Sequence, residues 1–185
     1  MQNHDFTITI HMVSSLDGYI AKTDNSVAWF ETKHPYQAGV ELESAEAFFK
    51  KVDCFVMGAN TYTHALELSK NYGWPYGEKP TIVITKQSLP KVNQHISFYN
   101  SDLPTLVNQQ LKAIYKNVWV AGGAMLATAF IKHNLAHQIR VSILPILLGQ
   151  GLLFFKPLAQ EHQLQLLESK AYNNGMIELC YEILQ

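Results

Sequence analysis

Cys54-Phe55-Val56-Met57-Gly58, running straight into Ala59-Asn60-Thr61 and a helix-like stretch to Leu68, is the segment that decides how this chain is read. The pattern recurs at Val118-Trp119-Val120-Ala121, followed by Gly122-Gly123 and a helix opening at Ala124. In each case a short apolar strand passes through glycine into a helix N-terminus, so unpaired N–H groups and the positive end of the helix dipole point at one spot. Such a spot suits an anion. Glycine lets the backbone come close to a pyrophosphate and permits positive φ. It is also ordinary turn chemistry at a strand-helix junction, and it is the two occurrences together that favour a ligand. Neither run is the G-x-G-x-x-G dinucleotide fingerprint, because Gly122-Gly123 lacks the third glycine, so an ordinary Rossmann domain is disfavoured.

Around these two junctions the hydrophobic periodicity alternates between strand and helix. Phe6, Ile8, Ile10 and Met12 alternate with polar residues, which predicts an opening strand, followed by a loop over Ser14 to Ile20. Glu41 to Val52 predicts a helix with acids in its first turn and Lys50 and Lys51 in its last. Short strands follow at Thr81 to Thr85 and Ile96 to Tyr99. A helix capped by Ser101 or Asp102 then shows Leu103, Leu106, Val107, Leu111 and Ile114 on one face. After the helix from Ala124 to about Asn134, Gln138 to Leu147 predicts a long strand that Pro145 should confine to an edge or a bulge. Leu164 to Ala171 and Met176 to Leu184 flank Asn173-Asn174-Gly175 and predict a terminal antiparallel hairpin. The expected fold is α/β: a mixed, mostly parallel central sheet with helices on both faces and a C-terminal antiparallel hairpin.

With 185 residues, a single domain spanning 1–185 is expected. Apolar residues make up 48% of the chain and the formal net charge is -1, which excludes a field that would recruit nucleic acid or an anionic membrane. The longest apolar runs are broken by Pro145, Gly149 and Gly151, far short of a bilayer span. No secretion signal is seen at Met1 to Asp5, and a cytoplasmic location is expected. Cys54 and Cys180 lie in apolar runs and are expected as buried, reduced thiols.

Four motifs occur in order: Ser15-Leu16-Asp17-Gly18-Tyr19-Ile20-Ala21, Val56-Met57-Gly58-Ala59-Asn60-Thr61-Tyr62, Val120-Ala121-Gly122-Gly123, and Pro145-Ile146-Leu147-Leu148-Gly149-Gln150-Gly151. Together they resemble the dihydrofolate-reductase-like superfamily. Within it, the chain looks most like stand-alone relatives of the C-terminal reductase domain of the riboflavin-biosynthesis deaminase-reductase RibD. Neither an H-x-E nor a P-C-x-x-C zinc signature occurs, so no deaminase domain is expected here. The resemblance implies a reductase using NADPH, or NADH, to pass hydride to a planar heterocycle. The implied acceptor is 5-amino-6-(5-phosphoribosylamino)uracil, with dihydrofolate or another pteridine as the alternative. A non-catalytic nucleotide-binding module of the same fold is a second class. A homodimer is also implied, its contact falling in apolar Ile143 to Phe155.

By motif position, the resemblance implies that Gly58, Asn60 and Thr61 hold one side of the pyrophosphate and Gly122, Gly123, Ala124 and Met125 the other. Thr85, Lys86 and Gln87 would line the adenosine ribose. Family members usually carry arginine where this chain has Ala59, and Lys86 is the residue that could meet a 2'-phosphate instead. An acid that often precedes the tryptophan is here Ala28. Ser15, Leu16 and Trp29 are candidates for the substrate side, with Trp29 and Phe30 able to stack on a flat ring or simply to wall the pocket. Lys22 and Lys33 are the cations near that loop.

Asp17 is the first candidate for proton donor, since burial over the nicotinamide site could raise its pKa, though Asp-Gly is also a turn signal. Asp24 and a water are the fallbacks. His133 and His137 have the i, i+4 spacing of metal ligands, yet Asn134 is not the glutamate of a zincin and no third ligand is apparent, so no metal is expected. His11 could touch the pocket or be a satisfied interior histidine.

Overall fold

The computed structural model describes residues 5–31 and 35–184; Lys33 lies outside them. The opening strand β1 spans Thr7–Ser15, β2 Tyr19–Ala21, β3 Cys54–Gly58, β4 Thr81–Ile84 and β5 Ile96–Tyr99. They are followed by β6 Asn117–Val120, β7 Gln138–Leu144, β8 Leu152–Leu153, β9 Leu164–Ala171 and β10 Ile177–Ile183. Eight of them form one sheet in the order β5-β4-β3-β6-β1-β7-β10-β9, and β2 pairs with β8 in a small ribbon. Pairings are parallel from β5 across to β7, and antiparallel between β7, β10 and β9.

Alternation along β3 splits the core in two, because successive side chains leave a strand on opposite faces. Cys54 and Val56 join Ile8, Ile10, Val118 and Val120 in a cluster covered by Leu106, Val107 and Leu111 of the helical run 103–114 and by Leu126, Ala127 and Phe130 of helix Ala124–Lys132. Phe55 and Met57 join Val83, Ile96 and Trp119 in a second cluster, closed by Tyr62 of helix Ala59–Tyr72 and by Phe48 and Phe49 of helix Ala45–Lys50. Helices therefore cover both faces, as the periodicity predicts.

Several boundaries differ from the sequence reading. Ser14 and Ser15 are strand rather than loop, since both are buried and continue the parallel ladder opposite Ile143 and Leu144. Helix 41–52 contracts to Ala45–Lys50, because Ser44 caps it by accepting from the Ala47 N–H at 3.2 Å. Asp102 is the cap of the next helical run, accepting from Thr105 N–H at 2.8 Å. Its middle turn, Leu106–Leu111, is a π-helix that shifts the phase, and Ile114 is exposed instead of sharing the buried face.

Pro145 does not place its strand at an edge. β7 ends at Leu144 and lies between β1 and β10, so the proline falls just past the last paired residue and the ladder needs no N–H from it. The terminal hairpin forms as expected, with Gly175 at φ 82 in its turn. Cys54 and Cys180 are both free and buried. Among the described residues no helix is long and apolar enough to cross a membrane.

Candidate active site at the carboxyl edge of the sheet

Strands β3 and β6 are neighbours running the same way, with Cys54 opposite Val118 and Val56 opposite Val120. Their glycine exits therefore lie side by side at one edge of the sheet. The Gly58 N–H donates to the Gly122 carbonyl at 3.2 Å, and the Ala121 N–H to the Val56 carbonyl at 2.9 Å. Helix Ala59–Tyr72 starts from Gly58 and helix Ala124–Lys132 from Gly123, each without a side-chain cap. The first-turn amides of residues 59–61 and 124–126 have no acceptor within their own helices, so both sets of donors and both dipole ends open on the same crevice. In open α/β sheets, this edge between strands is where ligands sit.

The three glycines differ in what a side chain would meet. A Cβ on Gly122, whose φ is +97, would stand 3.2 Å from Met12 Sδ, while one on Gly123 would meet Thr61 Oγ1 at 3.6 Å. Gly58 has nothing within 4 Å of the place a Cβ would take, so that side of the junction is open. The Gly122–Gly123 peptide is cis. Of the sequence-predicted cofactor residues, Gly58, Asn60, Thr61, Gly122, Gly123, Ala124 and Met125 gather at this junction, with Met125 76% exposed. Thr85 and Lys86 follow the neighbouring β4 at the same edge, since Gly58 pairs with Ile84. The Thr85 hydroxyl accepts from the Gln87 N–H at 2.9 Å, and Lys86 is exposed.

The substrate-side candidates are less uniform. Ser15 is buried, and its hydroxyl donates to Asp17 Oδ1 at 2.6 Å while accepting from the Tyr19 N–H at 3.0 Å. Leu16 is 67% exposed on the turn that follows. Trp29 is only 7% exposed, packs edge-on against Phe30 at 4.7 Å, and buries an indole N–H that has no partner among the described residues.

Asp17 departs from expectation. Its Oδ1 accepts from the Leu148 N–H at 3.1 Å as well as from Ser15, and its Oδ2 accepts from the Gly149 N–H at 2.7 Å. The Ser15 hydroxyl is the largest influence and lowers its pKa; burial opposes it, and the Leu148 and Gly149 amides add to the lowering, so the carboxyl is held below the ordinary range. The raised pKa that a proton donor would want is thus replaced by a lowered one. The fallback Asp24 is exposed and accepts from the Ser26 N–H at 2.8 Å, closing a local turn.

His11 faces away from the glycine junctions. Its ring lies 4.9 Å from Trp119, its Nε2 is 3.1 Å from Ser142 Oγ, and Ser142 donates to Glu178 Oε2 at 3.2 Å. Glu178 is held in turn by Arg140 at 2.6 Å. Burial drives the His11 pKa down to about 4, so at neutral pH it is an uncharged interior group. His133 and His137 do not share a helix face, because the helix ends at Lys132, and His137 Nδ1 accepts from the Ile8 N–H at 3.0 Å. Sequence reasoning missed the Leu148–Gly149 amides as partners of Asp17. The signal was Gly149, two residues before Gly151, in a motif read for its family resemblance and its apolar run but not as a source of backbone donors.

Taken together, a mostly parallel eight-stranded sheet, its antiparallel final hairpin and its glycine-ended central strands define a dihydrofolate-reductase-like domain. The RibD C-terminal domain model matches residues 6–177, and the chain belongs to that family. It is 28% identical over 172 residues to Bacillus subtilis (strain 168) YwjB, covering 93% of this chain and 95% of that one. A protein of known structure from Shewanella sp. PV-4 superimposes with a TM-score of 0.81 at 22% identity, over 97% of this chain and 100% of the other. Thermotoga maritima diaminohydroxyphosphoribosylaminopyrimidine deaminase/5-amino-6-(5-phosphoribosylamino)uracil reductase matches with a TM-score of 0.66 at 13% identity, over 97% of this chain and 57% of its own. The fold is thus that of the RibD C-terminal domain family.

Proposed function

We propose that the protein is an NADPH-dependent reductase that passes hydride to a planar pyrimidine, with 5-amino-6-(5-phosphoribosylamino)uracil or a close analogue as the acceptor. The observation that carries this reading is the pairing of two uncapped helix N-termini across one crevice, joined by the Gly58 to Gly122 hydrogen bond. The residues present fit a dinucleotide: open backbone donors from 59–61 and 124–126 suit a pyrophosphate, and exposed Lys86 at the end of β4 suits a phosphate on the adenosine side. Bound there, NADPH supplies the hydride and carries the hard chemistry. The chain's own part is to grip the phosphates, to hold the acceptor beside β1 and to keep water out. Family membership and the Thermotoga maritima neighbour support the choice of acceptor. We place the reaction in the cytoplasm, carried out by a homodimer.

The test is a titration with NADPH followed by nicotinamide fluorescence, and then by absorbance in the presence of the uracil substrate, dihydrofolate and simple pterins. The reading predicts saturable binding and oxidation fastest with the ribosylaminouracil. Binding without oxidation across the panel would leave only a nucleotide-binding module, and absence of binding at millimolar NADPH would remove the proposal altogether.

A further inference from the structure

We infer that Asp17 is a positioning residue, whose carboxylate locks the turn after β1 to the Leu148–Gly149 turn as one rigid wall of the crevice, and that it is not the proton donor. This rests on the reductase reading above, in which the crevice holds the cofactor and acceptor. The carboxylate is fully engaged: Oδ1 takes the Ser15 hydroxyl and the Leu148 amide, and Oδ2 takes the Gly149 amide. A carboxylate fixed by one hydroxyl and two backbone N–H groups is held by charge-assisted bonds, which orient it strongly and favour the ionised form. Gly18 at φ +86 and Gly149 at φ +74 supply the backbone shape on each side of the knot.

The knot is reinforced around its rim. The Leu16 N–H donates to the Ile146 carbonyl at 2.8 Å and the Phe154 N–H to the Gly18 carbonyl at 3.0 Å. Pairing of β2 with β8 continues the contact, and a Cβ on Gly151 would stand 2.2 Å from the Ala21 carbonyl oxygen, so the two backbones meet without room for a side chain.

Placement gives the knot a role. β1 lies between β6 and β7, and Met12 lies against Gly122, where β6 gives way to its helix. Three residues further along, about 10 Å at the rise of a strand, Ser15 carries the chain past that junction. The clamped turn therefore overhangs the β1 side of the crevice and carries Leu16 and Leu147, 67% and 69% exposed, on two adjacent turns. An apolar rim of this kind excludes water from a hydride-transfer site only while its two turns are held together.

Four proteins decide the matter: wild type, Asp17→Ala, Asp17→Asn and Ser15→Ala, each compared by amide hydrogen exchange at residues 148 and 149, NADPH affinity, and kcat and KM for the acceptor. Loss of the carboxylate in Asp17→Ala is expected to speed exchange at both amides and to lower kcat/KM for the acceptor by roughly tenfold each, with NADPH affinity nearly unchanged. Asp17→Asn keeps part of the acceptor geometry and is expected to fall between Asp17→Ala and wild type in both measures. Ser15→Ala keeps the acid but loses the hydroxyl, and is expected to lose exchange protection and rate together.

The inference is overturned if Asp17→Asn keeps the amides protected yet is as inactive as Asp17→Ala while Ser15→Ala is fully active, the signature of a proton donor. It is equally overturned if exchange at 148 and 149 is the same in Asp17→Ala as in wild type. If the wild type itself does not oxidise NADPH, it is the reductase reading that fails, and the exchange comparison still decides the clamp by itself.

Discussion

Two sets of backbone amides stand at the same edge of the sheet and are used in opposite ways. Those of Leu148 and Gly149 are filled by the chain's own Asp17 carboxylate, whereas the helix-opening amides beyond Gly58 and Gly123 meet no side-chain cap. A protein satisfies its buried polar groups wherever it can, because an unpaired one costs about 1–3 kcal/mol. Within the sheet His11, Ser142, Glu178 and Arg140 bond one another in a chain across β1, β7 and β10, with Arg140 Nε alone of that chain lacking a partner among the described residues. In the function proposed above, the open set is where the ligand's phosphates sit and the filled set is the scaffold beside them.

The contrast is broken most sharply at Gly58. Its backbone is at φ -85 and a Cβ there meets nothing within 4 Å, so Gly58→Val is expected to fold with a stability change under about 1 kcal/mol while filling the open side of the junction. NADPH affinity, read by nicotinamide fluorescence, should fall by roughly a hundredfold. Unchanged affinity in a folded Gly58→Val protein would mean that the bare amides hold nothing.

The next effect belongs to the paired interior. Because the folded-state pKa of His11 is depressed to about 4 from 6.5, the unfolded chain binds a proton that the native protein refuses between these values. Stability is therefore constant above about pH 6.5 and declines as pH falls toward 4, by about 3 kcal/mol in total for this group. Denaturant midpoints of wild type and His11→Gln across that range should converge in slope above pH 6.5 and diverge below it, with the variant losing less. Equal pH dependence in the two proteins would show that His11 is not the group being titrated.

At the cofactor end, the contribution of Lys86 is expected to be smaller still. Lys86→Ala removes the exposed cation beside the end of β4 and should weaken NADPH binding about fivefold, a surface charge contact of about 1 kcal/mol, while NADH binding stays the same. Equal losses for both nucleotides would move the 2'-phosphate away from Lys86.

Much of this architecture is legible in the residues themselves. The strand-glycine-helix junctions, the alternation of Phe6 to Met12 and the terminal Asn-Gly hairpin each encode a local choice that the packing then keeps. What escapes is information carried by pairing partners. Pro145 reads as an edge signal until β7 is seen to end one residue earlier. Ser14 and Ser15 read as loop because two polar residues in a row give no period, although β7 supplies their ladder. Ile114 leaves its face because a π turn breaks a 3.6-residue phase that the sequence only implies. In the site, the glycines were visible because they answer to backbone geometry alone. The tie between Asp17 and the distant turn was not, since two of its three partners, Leu148 and Gly149, are about 130 residues away and bind it through main-chain groups that no side-chain pattern announces.

The most direct measurement is a nuclear magnetic resonance titration of the wild-type protein with NADPH, following backbone amides on both sides of the contrast. Large, saturable shifts at Asn60, Thr61, Ala124 and Met125, with Leu148 and Gly149 nearly still, are the predicted result. Shifts confined to residues away from the two helix openings, or none at all at saturating nucleotide, would contradict the claim that those amides form the binding site.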